Sequence, residues 1–305
     1  MGAFMDKVVK TATYYIKVFQ KRLRRWALPV VRPTLKRPIF VVGCSRAGTT
    51  LIYKTFSESE KLGSLQRETH DFWAALHPPS ERDWTSHVIP VEMACHEDIK
   101  EVSNFFYAET GETRVVDKNN QNGLSIPYLY KLFPDAHFVF IKRCPGDNIN
   151  SLIVGWSKSN EFGDWAEALP ERIAVDDGYF DRWCFFLAEG WRDYLNNSIE
   201  EVCAFQYKMM NQAILSAKPL VPKAQWHEVT YEKLIENPVV EFEKIFNECE
   251  VSFDEKIRKH CEEVLQKPYN TFSSIEVNKW RKGENRARIE RILPMLTELE
   301  KRLGY

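Results

Sequence analysis

The fold of this chain is decided by the stretch Ile39-Phe40-Val41-Val42-Gly43-Cys44-Ser45-Arg46-Ala47-Gly48-Thr49-Thr50-Leu51-Ile52-Tyr53-Lys54-Thr55-Phe56. Its first four residues are β-branched or aromatic, which predicts a buried strand over 38–43. The segment after the two threonines predicts a helix that extends to about residue 61. A loop bounded by two glycines lies between them. Such a loop directs backbone N–H groups and a helix N-terminus at one point, so we expect an anion site.

The side chains of the loop favour the same chemistry. Arg46 offers a bidentate fork for phosphate or sulfate oxygens, and Thr49 and Thr50 add hydroxyl donors. The phosphate loop of NTPases needs a lysine between its second glycine and the hydroxyl residue, whereas Thr49 directly follows Gly48 here. We also identify no Mg²⁺-binding carboxylate after a downstream strand. The loop thus departs from the phosphate loop of NTPases in two respects. A nucleotide kinase or another P-loop NTPase is kept as the alternative interpretation, because it shares the order strand, loop, helix.

A second motif follows the turn at residues 133–135. The run His137-Phe138-Val139-Phe140-Ile141 predicts a buried strand over 137–142, and a helix is expected over 146–158. Arg143 leaves the carboxyl end of the strand, and Ser151 lies eight residues later on the helix. Both side chains can face the crevice in which open α/β sheets bind ligands.

Together the two motifs resemble those of sulfotransferases that use 3′-phosphoadenosine 5′-phosphosulfate (PAPS). The resemblance extends from about residue 38 to the C-terminus. It implies an α/β fold like that of the P-loop NTPases, with a parallel sheet flanked by helices, in one domain over 37–305. It also implies that Arg143 and Ser151 bind the 3′-phosphate of the cofactor. The 5′-phosphosulfate would be bound by Cys44, Ser45, Arg46, Ala47, Gly48, Thr49 and Thr50.

Two further segments resemble sulfotransferase elements. Arg281, Lys282 and Gly283 match the basic loop that closes over the 3′-phosphate near the C-terminus, although a solvated basic turn is the alternative. Tyr231 matches a tyrosine that approaches the adenine. The cofactor implied is PAPS, with 3′-phosphoadenosine 5′-phosphate (PAP) as product, and no metal is expected.

Sulfuryl transfer requires a positive charge at the bridging oxygen and a base near the acceptor. Arg46 matches the catalytic Lys or Arg of the family's loop, and Lys118 matches a lysine at the end of a central strand. Glu68 is our first choice for the base and His70 the second, because some branches carry a glutamate there and others use a later histidine. The alternative role for Glu68 is a salt bridge, for instance with Arg67.

The acceptor pocket is expected between residues 62–110 and 157–180, which combine aromatic residues such as Trp84 and Trp165 with carboxylates such as Asp71, Glu161 and Asp164. This composition suits a polar or cationic small molecule. The chain looks similar to bacterial sulfotransferases of secondary metabolism, so a hydroxyl or amine of a guanidinium natural product of the saxitoxin type is one acceptor to consider.

The remaining elements follow from apolar spacing. Residues 62–110 are expected to be irregular, followed by a strand at 114–117 and a helix at 123–133. Long helices are predicted over 176–217, where Phe180, Trp183, Leu187, Trp191 and Leu195 recur every three or four residues. A strand at 225–229 and helices at 231–248, 254–266 and 284–303 complete the pattern.

Composition sets the outer limits. The 305 residues carry a net charge of −1, which gives no argument for nucleic-acid binding. Seven scattered cysteines without a secretory signal indicate reduced thiols in the cytoplasm. Residues 1–36 predict a basic amphipathic helical arm that packs on the catalytic domain. The alternatives are contact with an anionic membrane and a non-enzymatic, membrane-associated adaptor. The sequence leaves the oligomeric state open.

Overall fold

A computed structural model describes residues 2–158, 162–266 and 275–305. Its centre is a parallel sheet of four strands in the order β2-β1-β3-β4, with β1 at Ile39–Val42, β2 at Val116–Lys118, β3 at His137–Lys142 and β4 at Trp226–Thr230. Ile39 is aligned with Val116 on one side and with His137 on the other. The predicted parallel sheet flanked by helices is confirmed.

Twelve α-helices surround the sheet in the described part of the chain, joined by turns and short 3₁₀ segments. They are α1 Gly2–Val31, α2 Thr49–Phe56, α3 His70–Leu76, α4 His96–Thr110, α5 Ile126–Leu132, α6 Pro145–Trp156, α7 Ile199–Ala217, α8 Tyr231–Glu236, α9 Pro238–Glu248, α10 Glu255–Glu263, α11 Arg286–Ile292 and α12 Thr297–Leu303. Every residue of β1 is buried. Strands covered on both faces have continuous apolar sequences, which explains why the strands were the elements best predicted.

The prediction of long helices over 176–217 is wrong for its first half. Only α7 is an α-helix in this range, and residues 176–198 form turns and a 3₁₀ segment. Asp176, Asp177, Phe185 and Gly190 have positive φ angles, which an α-helix does not tolerate. Trp183 and its apolar neighbours are buried nonetheless, so their spacing reflects tertiary packing.

Other boundaries also differ from the prediction. Residues 62–110 contain α3 and the fifteen-residue α4, although this region was expected to be irregular. The helix expected over 231–248 is interrupted at Asn237, because the residue before Pro238 is disfavoured in the helical region. The helix expected over 284–303 is likewise divided by a 3₁₀ turn containing Pro294. Helix α2, which follows the glycine-bounded loop, ends at Phe56, whereas the prediction extended it to about residue 61.

The N-terminal arm forms α1 and packs on α4. Lys21 and Arg25 pair with the Glu109 carboxylate, and Arg24 Nη1 donates to the Glu109 carbonyl oxygen at 3.3 Å. Two aromatic side chains of the arm point away from the domain, since Phe19 and Trp26 are 61% and 89% exposed. The helix is therefore held by its basic face. None of the helices in the described ranges combines the length and apolarity needed to cross a membrane.

Candidate active site

The loop between β1 and α2 is a tight turn with two left-handed residues. Arg46 has φ 67° and Gly48 has φ 106°, and the Ala47 N–H donates to the Cys44 carbonyl oxygen at 3.0 Å. Gly48 is the N-cap of α2, and its carbonyl oxygen accepts from the Leu51 N–H at 3.0 Å. The amides of Thr49 and Thr50 precede this first bond and have no acceptor within the helix. These amides and the positive end of the helix dipole are suited to an anion, so the anion site stays a prediction that this geometry supports.

Gly48 is required by both its backbone angle and its surroundings. A Cβ atom there would lie 2.7 Å from Cδ2 of Tyr231 and 3.0 Å from Cδ1 of Ile141. Gly178 has a similar φ of 86°, but a Cβ atom at that position would meet nothing within 4 Å. Comparing the two glycines therefore separates backbone strain from the clash.

We expect Gly48→Ala to lower the free energy of unfolding more than Gly178→Ala does. Backbone strain alone costs about 1–3 kcal/mol at either position. The contact with Tyr231 adds to this only at residue 48. Urea denaturation of both variants measures the difference, and equal losses would show that the ring moves away at no cost.

Three residues after the neighbouring strands approach the loop: Arg143 directly after β3, Ser151 on α6 and Tyr231 at the start of α8. Arg143 Nη1 donates to the Arg46 carbonyl oxygen at 2.8 Å, and its guanidinium lies 4.1 Å from the centre of the Tyr231 ring. Arg46 Nε donates to Ser151 Oγ at 3.4 Å. The structure thus brings the two predicted phosphate motifs together at the carboxyl ends of β1 and β3.

Two buried polar atoms beside this cluster have no protein partner in the described residues. They are Ser45 Oγ and Arg143 Nε, and both residues line the same cavity. Buried donors without a partner carry a large desolvation cost, so this wall is suited to an anionic ligand that would accept from them.

The cavity has a volume of about 650 Å³, which is ample for a small-molecule site. Beyond the phosphate motifs, its walls come from α2, α3, the end of β2 and residues 162–165. The predicted residues that line it are Ser45, Arg46, Gly48, Thr49, Thr50, Glu68, His70, Lys118, Arg143, Ser151 and Tyr231.

Lys118 and Glu68 form an ion pair at the edge of this cavity. Lys118 Nζ lies 2.5 Å from Glu68 Oε1 and 3.4 Å from Thr50 Oγ1. Burial disfavours the Glu68 carboxylate, but the Lys118 ammonium outweighs it and holds the pKa of Glu68 below its ordinary value. Glu68 is thus ionised at neutral pH, as a general base must be.

The structure places Glu68 in a salt bridge, the alternative role considered for it, but the partner is Lys118 and not Arg67. Arg67 Nη1 donates to the carbonyl oxygen of Glu68 at 3.2 Å, while the carboxylate pairs with Lys118 across the fold. His70, the second candidate base, has its Nε2 3.0 Å from Asp71 Oδ1 and is 44% exposed. Glu68 is therefore more closely tied to the loop than His70.

A buried network that the sequence did not reveal holds this edge of the sheet. Asp117 precedes Lys118 and is 1% exposed. Its carboxylate accepts from Thr69 Oγ1 at 2.7 Å, from Trp73 Nε1 at 3.1 Å and from Asn122 Nδ2 at 2.9 Å. Thr69 adjoins Glu68, so the network fixes the backbone of both members of the ion pair.

His87 also lines the cavity, although no sequence pattern singles it out. Its Nδ1 accepts from the Leu187 N–H at 2.7 Å, which leaves the proton of the neutral ring on Nε2. Burial lowers the pKa of His87 to about 3. The ring is therefore a neutral hydrogen-bond donor at this wall and not a base.

Some predicted cofactor residues are not among those that line the cavity. Cys44 and Ala47 are buried in the core beneath the loop. Arg281, Lys282 and Gly283 lie on an exposed turn, where Arg281 stacks on Trp280 and Lys282 pairs with Glu276. Their role over the 3′-phosphate stays a prediction. Lys279, which the sequence analysis did not select, does line the cavity. Glu161 lies outside the described residues.

A separate cluster lies at the opposite ends of β3 and β4. His137, His227 and Cys249 are buried, with potential metal-ligating atoms within 4.8 Å of one another. Arg37 approaches His137 Nε2 at 3.3 Å, His137 Nδ1 contacts His227 Nε2 at 2.9 Å, and His227 Nδ1 lies 3.5 Å from Glu248. A guanidinium can only donate, so His137 Nε2 accepts from Arg37 and His137 Nδ1–H donates to His227 Nε2. His227 Nδ1–H then faces the Glu248 carboxylate, so that each ring donates with one nitrogen and accepts with the other.

The comparisons with known proteins agree with this geometry. Residues 38–177, which include the loop, Glu68, Lys118, Arg143 and Ser151, match the model of a sulfotransferase family. A crystal structure of a sulfotransferase from Mycobacterium avium superposes with a TM-score of 0.57 at 14% identity, covering 92% of this chain and 81% of that chain. Residues 38–177 are therefore similar to a sulfotransferase family, and the chain has the P-loop-like α/β fold of the sulfotransferases.

Two other solved structures are similar at lower TM-scores. The sulfotransferase domain of an olefin synthase from Synechococcus PCC 7002 has a TM-score of 0.46 and 18% identity, covering 83% of this chain and 90% of that one. A mouse sulfotransferase in complex with PAP has a TM-score of 0.47 and 13% identity, covering 88% and 86%. No curated protein matches the chain by sequence.

Proposed function

We propose that this protein is a PAPS-dependent sulfotransferase that transfers a sulfuryl group to a hydroxyl or amine of a small molecule. The observation that carries the proposal is the convergence of the loop before α2 with Arg143 and Ser151 on one cavity, with the Lys118–Glu68 pair at its edge. The two positively charged side chains and the helix N-terminus would bind a doubly phosphorylated nucleotide. The Glu68 carboxylate beside them would accept the proton of the attacking hydroxyl or amine.

The residues present fit the cofactor of the family. Ser45 Oγ and Arg143 Nε are donors without a protein partner in the described residues, and Tyr231 presents an aromatic ring beside Arg143. We assign the 5′-phosphosulfate to the loop and the first turn of α2. We assign the 3′-phosphate to Arg143 and Ser151, and the adenine to Tyr231.

When bound, PAPS supplies an activated sulfuryl group whose leaving group is a phosphate. The role of this chain is to stabilise charge and to move one proton. Arg46 lies on the loop, where its guanidinium would stabilise the charge that develops on the bridging oxygen. Lys118 contacts both Thr50 and Glu68, which places its ammonium between the loop and the base. Glu68 would accept the acceptor's proton at its carboxylate.

The other walls of the cavity indicate the acceptor class. Trp84 and Trp165 stack with ring centres 6.5 Å apart, and His87 meets Trp165 edge-on at 4.4 Å. Asp71 and Asp164 add carboxylates to the lining. Indole faces and carboxylates suit a polar or cationic acceptor. A guanidinium natural product of the saxitoxin type is one member of this class, and release of PAP in its presence would test it.

We expect PAP to stabilise the protein much more than adenosine 5′-monophosphate, which lacks only the 3′-phosphate. A ligand at 100 times its dissociation constant adds about 2.7 kcal/mol to the stability of the native state. Arg143→Ala should remove most of the difference between the two nucleotides. Differential scanning fluorimetry at matched ligand concentrations measures both effects.

Two comparisons make this test decisive. Arg143 also donates to the Arg46 carbonyl oxygen, so the response to adenosine 5′-monophosphate in Arg143→Ala reports whether the loop is still intact. ATP with Mg²⁺ serves as the ligand of the alternative class. Equal shifts with PAP and adenosine 5′-monophosphate would refute the 3′-phosphate site, and a larger shift with ATP and Mg²⁺ would favour a nucleotide kinase.

A further inference from the structure

The apolar residues of α1 repeat with the spacing of a coiled coil. Ile16, Phe19, Leu23, Trp26 and Val30 are separated alternately by three and four residues. In the sequence the same alternation continues backwards through Ala12 and Val9. This is the a/d pattern of heptads, sustained for three repeats, and it is narrower than the apolar face of an ordinary surface helix. We use the name α1 seam for the five residues Ile16, Phe19, Leu23, Trp26 and Val30.

The α1 seam is uncovered. Its five side chains are 57%, 61%, 53%, 89% and 86% exposed in chain order. The helix is already held to the domain by another face, where Lys21 and Arg24 contact Glu109 of α4. A contiguous apolar stripe of this length is unfavourable when exposed to water, and such stripes mark interaction surfaces.

The distribution of charge on α1 selects the partner. Ten of the 42 basic residues and one of the 43 acidic residues of the chain lie in residues 1–37. In the described part of the helix, the positions that flank the seam hold Tyr15, Gln20, Arg22, Ala27 and Pro29, so only one of them is charged. The other basic residues lie away from the seam, and Lys21 and Arg25 pair with Glu109.

This arrangement fits a second helix of the same kind better than a lipid surface. Helices that lie on anionic membranes use Lys and Arg to reach the headgroups, whereas here part of the basic face is held against the protein's own domain. In a coiled coil, the residues that flank the seam set partner choice, and few charges there give little repulsion between identical helices.

We propose that the α1 seam pairs with the α1 seam of a second copy of this chain, so that the protein is a dimer joined by a short coiled coil. The dimer would bury the exposed aromatic and aliphatic side chains of both helices and leave each active-site cavity with its own chain. The proposal is independent of the sulfotransferase reaction.

The test is the molar mass of the full-length protein, measured by light scattering during size-exclusion chromatography. Leu23→Lys places a charge in the seam. Val31→Lys is the matched control, because Val31 lies off the seam on the same helix and is similarly exposed, at 46% against 53%. We expect the mass of two chains for the wild type and for Val31→Lys, and the mass of one chain for Leu23→Lys.

The thermal unfolding of the domain should be the same in both variants, which separates a lost interface from a lost fold. A wild type with the mass of one chain at all concentrations would overturn the proposal, as would a dimer that persists in Leu23→Lys. Co-sedimentation of a monomeric wild type with phosphatidylserine vesicles, abolished by Leu23→Lys, would assign the seam to a membrane instead.

Discussion

Arg46→Ala should reduce sulfuryl transfer about 100- to 1000-fold, the effect of losing one preorganised donor to a developing negative charge. The side chain extends from the loop that begins α2, and its Nε donates to Ser151. The fold should survive, because Arg46 is only partly buried and the strands beneath it are unchanged. PAP affinity should fall less than turnover, since the amides of the loop and both threonines remain. Steady-state kinetics with PAPS and PAP titrations give the two numbers.

Two control variants sharpen this expectation. Arg67→Ala removes an arginine from the same cavity. Within the described part of the chain Arg67 Nη1 donates to a backbone carbonyl, so turnover should change little. Arg46→Lys keeps the charge but lacks the planar fork, and should recover part of the lost activity. If Arg46→Ala and Arg67→Ala were equally active, the loop arginine would have no special role in charge stabilisation.

The parts of the fold that could be predicted from the sequence are those that are determined by residues close together along the chain. The buried strand Ile39–Val42, the glycine-bounded loop and the strand ending at Lys142 each have a local pattern, and the structure contains all three. That Arg143 and Ser151 line one cavity could also be predicted, because the end of a strand and the following helix share one edge of the sheet.

The remaining features depend on contacts between distant segments. Lys118 and Glu68 are fifty residues apart, and their pairing requires β2 to lie beside β1. The spacing of Trp183 and Leu187 suggested a helix, because buried turns and helices can show the same apolar periodicity. The hydrogen bonds to Asp117 could not be predicted for a related reason. Their donors lie in other segments of the chain, and the sequence alone does not show which side chains surround a buried carboxylate.

Glu68→Gln should lose most of its turnover, because general-base catalysis contributes about 100- to 10,000-fold. The amide retains the shape of the side chain but not its basicity. His70→Asn should lose noticeably less, since His70 is more exposed and contacts Asp71. Glu68→Gln also leaves the Lys118 ammonium without its carboxylate, so PAP affinity must be measured in parallel. Unchanged PAP affinity with lost turnover supports the base, whereas a two- or threefold drop in turnover places Glu68 in a structural ion pair.

The pH dependence separates the two candidate bases independently. The Lys118 ammonium offsets the burial of Glu68 and holds its pKa below the ordinary value, so the active carboxylate form is present at neutral pH and is lost only as the pH falls through that lowered pKa. With Glu68 as base, kcat should therefore be level down to about pH 4.3, the ordinary pKa of a glutamate. An acid limb of kcat clearly above about pH 4.3 would contradict Glu68 as the base, because its pKa is held below the ordinary value. If that limb were absent from His70→Asn, the base would be assigned to His70.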